Sequence, residues 1–158
     1  IAAEAMRETM AGSRHLWRRL ADRNGPKEAF AAIVQQYLSR AHRDSAGRGC
    51  VVAALGSEIA KQPDRVRDAF TAELEEGLAF LAHLMPQASD ARASDDAIAA
   101  FASMAGGLIL ARAVRDERLS NRILEATAKH VIDQAGSEEP SAHVRRGTIR
   151  TRTPRRSK

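Results

Sequence analysis

The chain has 158 residues, 44% apolar, 28% charged and 4% aromatic, with one cysteine and a formal net charge of +5. That length suits one domain with a substantial core and excludes two large ones. The lone cysteine excludes an intrachain disulfide framework and fits a reducing compartment, and the lack of alternating Val/Ile/Thr-rich runs excludes a sheet-based fold.

The predicted class is all-α, with about six helices. The first covers residues 2–22 and puts Ala2, Met6, Met10, Ser13, Trp17 and Leu20 on one face. Asn24-Gly25-Pro26 stops it and starts the second helix, residues 26–42. Its stripe of Phe30, Ile33, Val34, Tyr37, Leu38 and Ala41 follows i, i+3, i+4, i+7 spacing. A turn at Gly47 and Gly49 leads through Cys50 into a short apolar helix ending near Ala60. Pro63 opens the fourth helix, residues 63–85, where its fixed φ and missing N–H suit the first turn. Val66, Phe70, Leu74, Leu78, Leu81 and Met85 form its buried face, and Pro86 ends it.

After a polar loop at residues 87–93, Ser94 is the expected N-cap of the fifth helix, with Asp95 and Asp96 in its positively polarised first turn. Between residues 97 and 114 the only charge is Arg112. A helix with one buried stripe carries charges on its opposite face, so this one must be covered on two sides. Gly106 and Gly107 lie mid-helix despite a cost of about 1 kcal/mol relative to alanine, which suits close approach of another backbone. The sixth helix is expected to start at the N-cap Ser120 and to stop at Gly136 as a C′ residue. Its apolar face is Ile123, Leu124, Thr127, Ala128, Val131 and Ile132.

The folded domain is therefore expected at residues 1–136, which hold 18 basic and 18 acidic side chains. Residues 137–158 carry seven basic residues against Glu138 and Glu139 and read as a disordered basic tail, solvated or in loose contact with phosphates. The most apolar run, residues 97–111, falls short of the ~20 residues that span a bilayer, and Glu4 and Arg7 interrupt any secretory leader. No membrane partner is expected.

Catalytic chemistry finds little support. His15, His42, His83, His130 and His143 occur once per segment, with no i, i+4 pair, so no metal site is expected. There is no phosphate-cradling loop, nucleophile elbow or dinucleotide fingerprint, and no cofactor is expected. Ser57 and Glu58 lack a positioned histidine. Cys50, near a helix N-terminus and Arg48, is either a redox-reactive thiol or a small packed hydrophobe; the lack of a resolving cysteine favours packing.

Residues 48–70 read RGCVVAALGSEIAKQPDRVRDAF. This order of Gly-Cys, small-apolar helix, Ser-Glu and Pro-x-x-Val resembles the middle of the regulatory domain of tetracycline-repressor (TetR) family transcription regulators. The run of helices over residues 2–134 follows the family's order. The resemblance implies an effector pocket between the helices, with Met10, Trp17, Phe30, Tyr37, Phe70, Phe101 and Met104 as candidate walls for a small apolar ligand. Taken singly, each of these is equally a core residue.

Two C-terminal helices with excess apolar surface also suit a two-fold self-complementary face. The resemblance makes them a four-helix bundle between symmetry mates, through Phe101, Gly106, Leu108, Ile109, Ile123, Leu124 and Val131. Alternatively, helix five is the wrapped central helix of a monomer. The family's DNA-reading helix-turn-helix lies N-terminal to such a domain, and nothing here matches it. The implied protein is a cytoplasmic bacterial transcription regulator acting as a repressor, with operator DNA a partner only through that missing domain. The rival readings are a freestanding ligand-binding dimer with no DNA role and a small helical redox enzyme.

Overall fold

The computed structural model describes residues 2–45, 51–85 and 90–136. Among them lie seven helices and no strand: α1 (Ala2–Ala21), α2 (Pro26–Tyr37), α3 (Arg40–Asp44), α4 (Val51–Ile59), α5 (Asp64–Leu84), α6 (Asp90–Ala113) and α7 (Glu117–Gly136). The expected class is found. The expected tail and Cys50 lie outside the described residues.

Local chemistry sets most of the boundaries. The Asn24 side-chain amide donates to Leu20 O at 2.8 Å and closes α1. Gly25 is the N-cap of α2 and Pro26 its first residue, where a missing N–H costs nothing. Pro63 sits one position earlier relative to its helix, as the N-cap of α5.

Three boundaries differ from the sequence reading. The second helix ends at Tyr37, because the Ser39 hydroxyl accepts from His42 N–H at 3.1 Å and starts the separate helix α3. The fifth expected helix begins at Asp90 rather than Ser94; Ala91, Arg92 and Ala93 are strong helix formers, and Ala93 is buried. α7 begins at Glu117, with Asp116 Oδ1 accepting from Arg118 N–H at 2.9 Å. Ser120, expected as the N-cap, is instead a buried tie: its hydroxyl donates to Ala111 O on α6 at 2.6 Å.

α6 is the central helix, packed against α2, α3, α4, α5 and most extensively α7. The main core joins Phe30, Ile33 and Val34 of α2, Leu81 of α5, Met104 and Leu108 of α6, and Leu124 and Val131 of α7. A smaller cluster joins Ala3 and Met6 of α1 to Val66 and Ala69 of α5. The upstream start of α6 also lengthens its apolar stretch. By length and composition alone, Ala93–Ala113 would cross a bilayer, with mean hydropathy 1.4 and 44% of its most apolar window buried. That corrects the expectation of too short a run; the packing of α6 on five other helices makes it a core helix with one uncovered side.

Candidate functional site

A cavity of about 280 Å3 opens between the helices. α1 supplies Thr9, Met10, Gly12, Ser13, Arg14, Leu16 and Trp17; α5 supplies Glu73, Leu74, Gly77 and Leu78. Gln36 and Tyr37 of α2, His42 of α3, Val51 and Val52 of α4 and Phe101 of α6 complete the lining. The walls are mostly apolar with a few polar groups, as in small-molecule sites generally.

One wall is a chain of rings. Trp17 meets Phe101 edge-on at 6.2 Å between centroids, Phe101 meets Tyr37 at 5.9 Å, and Tyr37 meets His42 at 4.9 Å. Edge-to-face pairs at such distances are favourable and hold each ring in orientation. Four helices thereby present one aromatic surface. Opposite in character is the link between α1 and α5. Arg14 pairs with Glu73, both side chains largely buried, and its other terminal nitrogen reaches Glu76 at 3.1 Å.

His42 is held by its surroundings. Its Nδ1 lies 2.6 Å from Tyr37 O, an atom that can only accept, so Nδ1 carries the proton. Burial lowers its pKa below 6.5, and the nearby Arg112 charge lowers it further, while the Tyr37 carbonyl acts in the opposite sense. Arg112, the one charge of the apolar middle of α6, donates from Nε to Arg43 O at 3.0 Å and from Nη2 to His42 O at 2.9 Å. Arg43 in turn donates to Ser120 Oγ at 2.8 Å and to Asn121 Oδ1 at 3.0 Å. The short helix α3 is thus strapped to both α6 and α7.

Of the residues expected to line a pocket, Met10, Trp17, Tyr37 and Phe101 are brought together here. Phe30 and Met104 are not; they are buried in the main core. Phe70 is not either, and packs on the smaller cluster beside Val66 and Ala69. The sequence reading missed Arg14, Glu73, Gln36 and His42. Arg14 left a signal: it falls within the apolar face of α1, one turn after Met10 and one before Trp17, where a charge needs a partner.

The expected partner face is also redistributed. Leu108, Leu124 and Val131 are enclosed by their own protomer, at 0%, 2% and 3% exposure, and Phe101 is buried against the cavity. Within the folded chain these four are buried rather than on the outside. Both faces of α6 are apolar, so periodicity alone could not sort them. Ile123 is half-buried against the core, while Gly106 and Ile109 stay on the outside. With them the outer side carries Ile98, Leu110 and, from the start of α7, Leu119, the four large apolar residues being 42–57% exposed.

Among the described residues no group of His, Cys, Asp and Glu side chains could hold a metal ion. A family model described as the C-terminal domain of tetracyclin repressor-like proteins matches residues 26–127. No curated protein matches the chain.

Proposed function

Since the chain belongs to the tetracyclin repressor-like C-terminal domain family, over well more than half its length, we propose that it is the effector-binding and dimerisation domain of a bacterial, cytoplasmic transcription repressor, occupying residues 1–136. The observation that carries the effector reading is the cavity of about 280 Å3, walled by the aromatic chain and bounded on one side by α1. A small, largely apolar molecule is the occupant its lining suits.

The mechanism is a population shift. An occupant that fits one spacing of α1 against α5 better than another biases the domain toward that spacing. α1 would carry the change to a helix-turn-helix domain preceding it, resetting the distance between two recognition helices over a palindromic operator. The outer side of α6, with Ile98, Ile109 and Leu110 exposed and Gly106 open to close approach, is the face that would meet a symmetry mate.

Gly77 offers the direct test of the cavity. A Cβ there would lie 3.8 Å from Trp17 Cζ3, an ordinary contact, so a longer side chain is admitted only by filling the space beyond. Gly77→Leu should weaken binding of an apolar fluorophore such as N-phenyl-naphthylamine by about tenfold or more, as expected when a pocket is occupied from within. Equal binding by the variant and the parent chain would place the fluorophore elsewhere and remove the support for this reading.

A further inference from the structure

The cavity wall also speaks to the chemistry of its occupant. Among the described residues its formal charges are Arg14 and Glu73, already paired with each other, and burial first, then the Arg112 charge, disfavours the protonated form of His42. Arg14 is drawn to a second carboxylate as well, Glu76. An ion of either sign entering here would lose its water and find no unspent counter-charge among the described residues, which is strongly unfavourable in an apolar enclosure.

One buried donor in this wall is nevertheless left without a partner. Arg14 Nη1 and Nη2 are taken by the two carboxylates, whereas Nε is buried with no hydrogen-bond partner among the described residues. A buried donor without an acceptor is costly, and an acceptor brought by a ligand recovers that cost. Resting on the effector reading above, we propose that the occupant is an electrically neutral, mainly apolar molecule bearing a carbonyl-type acceptor that Arg14 Nε–H engages. Because Nε is enclosed by protein, engagement requires the guanidinium to shift. Arg14 also clamps α1 to α5, so the acceptor acts on the helix pair whose spacing the effector would control.

Four cage compounds of one shape separate the possibilities: adamantane, 2-adamantanone, adamantane-1-carboxylate and 1-adamantylammonium. A 150 Å3 apolar cavity takes benzene, so about 280 Å3 admits such a cage. Trp17 is the only tryptophan and lines the cavity, so its emission reports occupancy in the whole chain. The ketone should bind about tenfold more tightly than the hydrocarbon, and both ions more weakly than the hydrocarbon. Arg14→Lys keeps the charge and removes Nε; the ketone's advantage should fall to about twofold while adamantane binds as before. If that variant does not fold, the pair Arg14→Gln with Glu73→Gln, which removes both buried charges and leaves only the exposed Glu76 unpaired, takes its place with the same expected result. Tightest binding by the carboxylate or the ammonium, equal binding of all four, or a ketone advantage that survives both variants overturns the proposal while leaving the effector cavity standing. No response to any of the four removes the cavity reading itself.

Discussion

Two neighbouring glycines, Gly106 and Gly107, divide α6 into an inner and an outer region. A Cβ on Gly107 would stand 2.8 Å from Thr127 Oγ1 and 2.9 Å from Thr127 Cγ2, so that glycine is what lets α7 lie so close. A Cβ on Gly106 would meet nothing within 4 Å. The same split runs along the helix: Met104 and Leu108 are fully enclosed, whereas Ile98, Ile109 and Leu110 stand 44–57% exposed. One side chemistry thus serves two purposes. Apolar residues facing inward hold the fold together, and those facing outward add little to it and, on the proposed reading, would meet a partner.

Truncation tests that division most sharply. Leu108→Ala should lower the unfolding free energy by about 2–5 kcal/mol, the range for emptying a packed core site. Leu110→Ala should change it by less than about 0.5 kcal/mol in the monomer, as at an unremarkable surface site. Urea unfolding of both variants checks the contrast, and similar losses would erase the distinction between the faces. Leu110→Arg carries the outer half further: light scattering should show monomers from a chain whose monomeric fold is intact. A dimer that survives it would put the partner face elsewhere.

The glycines give the next largest difference. Gly107→Ala must displace the stiff, β-branched Thr127, which we expect to outweigh the gain in helix propensity and to destabilise by about 1–2 kcal/mol. Gly106→Ala meets open space and should stabilise the isolated domain by about 0.5–1 kcal/mol. Adding Thr127→Ala to Gly107→Ala should return most of the loss if the contact is the cause.

Much of the fold could be read before any coordinates. The 3.6-residue stripe of α2 and the stops at Asn24-Gly25-Pro26 and Pro86 are local signals, and the structure places α2, α5 and the end of α1 close to them. What failed was signal that depends on the third dimension. Ser39 begins a new helix because its hydroxyl reaches His42 N–H, yet nothing in the apolar spacing through Leu38 and Ala41 marks a break. Ser120 resembles an N-cap by position but spends its hydroxyl on Ala111 O, across the α6–α7 turn. The aromatic half of the cavity was within reach because Met10, Trp17, Tyr37 and Phe101 share inner faces. Its polar half was not, since Arg14 and Glu73 are 59 positions apart and only the packing of α1 on α5 unites them.

His42 supplies the smallest effect and links the two regions, since it lines the cavity while its carbonyl is held by Arg112 of α6. Burial first, and then the Arg112 charge, lower its folded pKa below the 6.5 of the unfolded chain. Above that value both states are neutral and His42 adds no pH dependence. As pH falls through it, the unfolded chain takes up a proton that the folded protein resists, so stability declines until the lowered folded pKa is passed. His42→Gln should therefore flatten part of the fall in melting temperature between about pH 7.5 and 5.5, a window set around the unfolded histidine value. Because protonation would place a cation beside Arg112 and against the cavity, the same fall in pH should weaken binding of a neutral apolar probe in the parent chain and not in His42→Gln. A variant with the parent's slope and the parent's binding profile would show that His42 titrates alike in both states and that its strap to α6 leaves the cavity indifferent to its charge.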